Sequence, residues 1–314
     1  VEAEPVLASI GMGDLVTERL PSAAAFNHVI VRATVDGRML WLDGTDSGIR
    51  REDLGDTPPF RNVLPLRPAG AGLMPLPMVA PARPQGRSTL EIDQSAGFTL
   101  PTPFKAKIQV RGAMGQELNL AASQADREQK DEMVGGILSR LLGGALIVDR
   151  SIRWDAATGI ATIEASGVAD SAWSLEEQKL QLGLDQAIGQ LSFDPDRSRT
   201  AWQQLPVATN GPSHTEVTMR VRLPNGGKGV TLEGDRDLSG RYAGLTVQRQ
   251  VTQDGEWLVA RDVLLADGAE VAPQEIAAQR ARVAQAKDRL LVAVAPERRP
   301  AHWEEVMAAR RDKR

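Results

Sequence analysis

Phe26-Asn27-His28-Val29-Ile30-Val31-Arg32-Ala33-Thr34-Val35-Asp36-Gly37-Arg38-Met39-Leu40-Trp41-Leu42-Asp43-Gly44-Thr45 is two apolar-rich runs joined by a single Asp-Gly dipeptide. That pattern predicts a β-hairpin with a two-residue turn. Val35 then pairs with Arg38, which sets Ile30 opposite Asp43 and His28 opposite Thr45. Side chains alternate along a strand, so His28 and Asp43 share a face as diagonal neighbours, with Cβ atoms about 7–8 Å apart or somewhat less. Val29, Val31, Ala33, Val35, Leu40 and Leu42 take the opposite face, which is expected to meet the core. A one-residue slip would destroy both arrangements at once.

Working outward, residues 1–45 read as β-rich, with extended pieces at Pro5–Ile10 and Val16–Leu20 before the hairpin. Residues 46–87 carry Pro58, Pro59, Pro65, Pro68, Pro75, Pro77, Pro81 and Pro84, too many for a helix or a central strand. Alternation resumes at Leu90 and Ile92, continues through Phe104–Arg111, and predicts a further strand at Glu117–Ala121. Asp126–Leu142 reads as a helix, with Met133, Ile137, Leu138, Leu141 and Leu142 on one stripe and Gly143-Gly144 as its stop. Strands follow at Ala145–Trp154, Gly159–Val168, Leu180–Leu184, Thr215–Leu223, Gly229–Leu232, Gly244–Gln253 and Trp257–Leu265. A final helix is expected over Pro273–Ala293, with Ile276, Val283, Leu290 and Val294 in one apolar line. The tail from Arg298 to Arg314 also has a short helical pattern, with His302-Trp303 as a packing pair. The expected class is mainly β with minor α: a partial papain-like core over 1–82, an antiparallel β-sandwich region over 83–272 with one inserted helix (126–142), and a helical extension over 273–314.

Composition narrows the chemistry. Of 314 residues, 42% are hydrophobic and 25% charged, the balance of an ordinary globular chain. A net charge of −4 without a basic block gives no electrostatic footprint for nucleic acid. No apolar run reaches the roughly 18 residues of a membrane span, and no charged-then-apolar leader opens the chain. There is no cysteine, which removes disulfides, thiolate metal sites and any sulfur nucleophile. His28, His214 and His302 lack metal-ligand spacing, Glu233–Asp237 lacks the alternation of a calcium loop, and Leu223–Gly229 lacks phosphate-loop spacing. No metal or cofactor is expected.

Leu20-Pro21-Ser22, Phe26 to Val31, Asp36-Gly37-Arg38 and Trp41-Leu42-Asp43-Gly44-Thr45 resemble the second half of a bacterial transglutaminase-like domain. The resemblance is clear over residues 1–45 and looser through the Pro-rich 58–77. In that superfamily a cysteine at a helix start, a histidine on one strand and an aspartate on the next form a papain-like triad. The resemblance maps His28 and Asp43 onto the triad histidine and aspartate, and Trp41, on Asp43's face, onto a wall of the site. It places the cysteine-bearing helix before Val1, so the chain reads as a fragment, inactive as it stands. Many relatives carry proline where this chain has Gly44, a difference of turn stiffness rather than chemistry. The remainder is similar to the C-terminal part of large exported bacterial proteins, on Trp202, Leu205-Pro206-Val207, Leu223 to Gly227 and Ala295-Pro296. That similarity implies a periplasmic or other cell-envelope location, a protein or peptide substrate in the intact parent, and helical repeats after residue 314. The rival reading is a non-catalytic envelope module that binds or scaffolds and has lost the cysteine.

Overall fold

The chain is mainly β, and its computed structural model describes residues 1–11, 15–46, 48–142, 144–171, 173–176, 179–184 and 186–296. Expectations at Gly143 and over residues 298–314 lie outside them. The first region is a five-stranded antiparallel sheet built from β1 (Glu2–Ala8), β2 (His28–Val35), β3 (Arg38–Leu42), β4 (Asn62–Pro65) and β5 (Met74–Pro75), in the order β3-β2-β1-β4-β5. Asp36 and Gly37 both have positive φ, 50° and 74°, the conformation a tight two-residue hairpin turn demands. The register is the expected one: Val31 faces Leu42, Arg32 faces Trp41, and Val35 faces Arg38. The Pro-rich stretch contributes the two short strands β4 and β5, which the proline count argued against. In the ladder β4 keeps only two pairs with β1, so little is asked of Pro65.

Burial in this sheet runs largely opposite to expectation, Ala33 alone of the expected inner face being buried, at 6% exposure. The core lies on the His28 side, where Val6, Ala8, Ile30, Trp41, Val63 and Leu76 cluster with Phe60 and Met74 against them. Val29, Val31 and Leu42, expected inside, are 53%, 37% and 40% exposed. The cause is the connector, which folds Phe60 and Leu76 over the His28 face and leaves the Val29 face open.

The second region continues with β6 (Gly86–Asp93), β7 (Thr102–Arg111), α1 (Gly112–Gln124), α2 (Arg127–Leu142), β8 (Ala145–Asp155), β9 (Ile160–Ala169), β10 (Ser174–Glu176), β11 (Lys179–Gly183), α3 (Gln186–Gln190), α4 (Thr200–Gln203) and β12 (Val207–Ala208). It ends with β13 (Ser213–Arg222), β14 (Thr231–Glu233), β15 (Gly240–Tyr242), β16 (Leu245–Asp254), β17 (Trp257–Ala266), β18 (Glu270–Val271), α5 (Ile276–Lys287) and β19 (Val292–Pro296). Eight of these strands form one sheet in the order β15-β16-β17-β13-β6-β7-β9-β8, and β10-β11-β19-β14 form another. Leu90, Phe104, Ile163 and Leu258 of the large sheet share one core with Leu180, Leu182 and Ala293 of the small one and with Val134 and Leu138 of α2. The outer face of the large sheet is a ladder of charged and polar side chains, among them the Arg220–Glu91 and Lys107–Glu164 pairs.

Two expectations fail here. Glu117–Ala121 is helical, within α1: a short apolar run is ambiguous, and Leu118 and Ala122, four residues apart, turn toward the core on one helix face. The large sheet is antiparallel as expected except at the β6–β13 pair, which is parallel. The last segment is not helical throughout. α5 stops at Lys287, and Val292–Pro296 becomes the strand between β11 and β14, as suits a continuous run with two β-branched valines.

Candidate functional site

The register brings His28 and Asp43 together on the covered face of the first sheet. His28 opens β2, where the Asn27 side chain bridges both backbone groups of Ile10 and ties the strand start to the end of β1. Asp43 follows the last paired residue of β3, free of the ladder and able to turn. His28 Nε2 lies 2.6 Å from Asp43 Oδ2, with the two side chains 10% and 23% exposed. The other carboxylate oxygen, Oδ1, accepts the Thr45 backbone N–H at 2.9 Å and the Thr45 hydroxyl at 2.7 Å. This is the local turn an aspartate makes with the amide two residues on. Two donors of Thr45 therefore hold the carboxylate before the imidazole meets it.

A carboxylate only accepts, so the neutral ring donates from Nε2 and its lone pair falls on Nδ1. Nδ1 has no hydrogen-bond partner among the described residues. Burial pushes the Asp43 carboxyl up, but the bonds from Thr45 and His28 outweigh it and hold the group below the ordinary carboxylate range. Phe60 packs on the imidazole at 5.8 Å between ring centroids, tilted by 43°. Trp41 is buried at 7% exposure, its backbone N–H bonded to the Leu54 carbonyl at 2.7 Å.

A cavity of about 490 Å³ opens beside Asp43, between this sheet and the second region. Trp41, Ile30 and Phe60 wall one side, and Met114 and Glu117 of α1 stand opposite. His28 is not on its wall. The two sides are joined by a buried ion cluster: Asp53 Oδ1 takes Arg111 at 2.6 Å and Arg83 at 2.9 Å, with Asp53 7% exposed. Backbone meets backbone at Gly48, where an added Cβ would fall 2.1 Å from the Gly112 carbonyl carbon, so Gly48 admits no side chain, while Gly112 is held to glycine by its φ of 71° rather than by space.

Thr45, Phe60 and the α1 residues were not singled out from sequence. Thr45 had a signal, an Asp followed two residues later by a hydroxyl. Phe60 is a lone aromatic in a proline run, and the α1 residues come from a distant element. His214 lies elsewhere, its Nδ1 donating to the Pro81 carbonyl at 2.9 Å. Among the described residues no cluster of three His, Cys, Asp or Glu is placed to hold a metal. No helix among them is long and apolar enough to cross a membrane.

No family model matches the chain, and no curated protein matches it. Among solved structures, the crystal structure of a "putative protease" from Parabacteroides distasonis is similar over 93% of this chain, at 15% identity and a TM-score of 0.35. The chain spans 40% of that protein's length.

Proposed function

We propose that the first sheet is the histidine- and aspartate-bearing part of a transglutaminase-like acyl-transfer site acting on protein or peptide substrates. The observation that carries this reading is the 2.6 Å contact between His28 Nε2 and Asp43 Oδ2, made by the one register that also pairs the hairpin. In the proposed reaction His28 Nδ1 takes the proton of a thiol. The thiolate sulfur bonds to the carbonyl carbon of a glutamine carboxamide or a peptide. As the C–N bond breaks, the imidazolium returns its proton to the departing nitrogen, leaving a thioester. Water resolves the thioester in hydrolysis, an amine in cross-linking. Asp43, held ionised, keeps the ring oriented and stabilises the imidazolium. Trp41 and Phe60 keep water from the pair.

The chain contains no cysteine, so it performs no thiol chemistry alone. In this reading the thiol comes from a helix ahead of Val1, as the resemblance implies, in a protein of the bacterial cell envelope. The missing thiol also supports the second reading, a binding or scaffolding module, since most of the chain lies outside the first sheet.

The test extends the reading frame upstream of Val1 and measures labelling by iodoacetamide near neutral pH. His28→Ala is expected to slow labelling at least about tenfold, the effect of a one-unit rise in thiol pKa. Equal rates, or Ser, Ala or Gly where the cysteine is expected, favour the scaffolding module. Long-range ¹⁵N NMR on the present chain tests the tautomer: a neutral His28 protonated at Nδ1 would overturn the proposal.

A further inference from the structure

We infer that β8, the outermost strand of the eight-stranded sheet, pairs with the β8 of a second copy of this chain, in an antiparallel two-fold centred on Ser151. The inference rests on a different element from the acyl-transfer reading and does not depend on it. β8 runs from Ala145 to Asp155, with β9 on one side and no strand on the other among the described residues. The opposite edge of the same sheet, β15, spans only Gly240–Tyr242. Among the described residues, no backbone group from Asp149 to Trp154 is hydrogen-bonded to anything but β9. Every second residue therefore turns its N–H and C=O out of the sheet, a template for a further strand.

Natural edges are commonly blunted by a bulge or an inward charge. Here neither blocks the edge. The bulge falls at Val148 and leaves Asp149–Asp155 in unbroken register with β9. Arg150, on the core side of the strand opposite the buried Ala165, is ion-paired with Asp131 of α2. Along the free edge stand Asp149, Ser151 and Arg153 on the outer face, and the half-buried Ile152 and Trp154 on the core side.

Charge selects a second copy as the occupant. Two identical strands paired by a two-fold axis are antiparallel, and the residue at the centre meets its own copy. With Ser151 at the centre, Asp149 stands opposite Arg153 of the second copy, and Arg153 opposite its Asp149. Both pairs lie on the outer face, with Cβ atoms of directly opposed residues about 4.5–5.5 Å apart. On the core side Ile152 meets the stem of Arg150 directly and its own copy diagonally. Asp149 has no ion-pair partner among the described residues. Arg153, its side chain 62% exposed, shares Glu164 with Lys107 and has donors to spare. The other centres fail. Asp149, Arg150, Arg153 or Asp155 at the centre opposes two like charges, Ile152 sets Asp149 against Asp155, and Trp154 leaves only Arg153–Asp155 in register. An unrelated extended peptide would need this same order of charges to match the edge.

Sedimentation velocity on the 314-residue chain, from about 10 μM to about 1 mM, is expected to show a monomer–dimer equilibrium that weakens as salt rises. Asp149→Arg and Arg153→Asp each place like charges across the axis and are expected to weaken the dimer at least about tenfold, with circular dichroism checking the fold. Mixed in equal amounts, the two variants recover both opposite-charge pairs, one chain supplying the guanidiniums and the other the carboxylates, and are expected to associate at least as tightly as wild type. The chain has no cysteine, so Ser151→Cys reports the centre directly, and mild oxidation should join two chains by a disulfide. Leu146 is 70% exposed on the same strand but about 30 Å from its own copy in this register, so Leu146→Cys should not cross-link. A wild-type chain that stays monomeric to the highest concentration overturns the inference. So does association unchanged by either reversal, as contact through the open Val29 face would be, a mixture no tighter than its parts, or Leu146→Cys cross-linking as fast as Ser151→Cys. Thiol labelling and this measurement read different residues on different proteins, so either proposal can fail alone.

Discussion

The two main sheets follow the same alternation and reach opposite states. In the eight-stranded sheet, Phe104 and Leu258 are 2% and 1% exposed because α2 and a second sheet cover their face. In the five-stranded sheet the same kind of face carries Val29 at 53% exposure, while the face with the polar His28–Asp43 pair is the covered one. Alternation decides which side chains stand together. What buries them is decided by layers that come from elsewhere in the chain. A close polar pair sits on a covered face here because a loop could be folded around two satisfied groups, whereas an open face would leave the pair in water with its geometry unspecified.

The largest effects are expected in the closed region. Phe104→Ala should cost about 3–5 kcal/mol in urea unfolding, since the site is locked between layers and cannot collapse. Arg249 and Asp262 form a bidentate ion pair with contacts of 2.7 and 2.5 Å, the Arg249 side chain fully buried. Arg249→Ala strands a buried carboxylate and should cost about 3–5 kcal/mol, most of it recovered by Arg249→Met with Asp262→Leu. A cost under about 1 kcal/mol for Phe104→Ala would erase the contrast between the two regions.

A middle-sized effect belongs to the pair itself. Asp43→Ala should cost about 1–3 kcal/mol by leaving the Nε2–H and the Thr45 donors unmatched in a largely covered site. Its pH dependence has a definite sign. The carboxyl is lowered in the folded chain, so the unfolded chain binds the proton more readily. Asp43 therefore contributes its full share above the ordinary carboxylate range, about pH 4–5, and loses it as pH falls through the lowered value. Unfolding at pH 6 and pH 3 should show a larger difference between wild type and Asp43→Asn at pH 6. A difference independent of pH would mean the carboxylate is not held ionised by its partners.

How much of this was legible from sequence follows the same division. The hairpin register was legible because Asp-Gly fixes the turn and the period of two does the rest, and with it came the nearness of His28 to Asp43. Which hairpin face is buried was not, since it depends on a Pro-rich connector without periodicity. α1 was hidden because Glu117–Ala121 alternates locally as a strand would. β19 was hidden because its apolar residues fall in line with those of α5 on a helical count. The cleft could not be found from either region's pattern, because its two walls lie about seventy residues apart, Trp41 on one side and Met114 on the other.

The smallest effect sharpens the comparison most. Val29 pairs with Leu7, and Val31 with Pro5 and Leu42, giving an apolar patch continuous across three strands. Val29→Thr with Val31→Thr keeps β-branching and shape, so strand preference is nearly unchanged. If that face meets water in the free chain, stability should move by no more than about 0.5 kcal/mol in urea unfolding. Dye binding and self-association, which respond to exposed apolar area, should fall in the same variant. A loss of about 2 kcal/mol would instead show that the face is buried in solution. The two regions would then differ only in which chain provides the covering layer, and an open face would no longer set the first sheet apart.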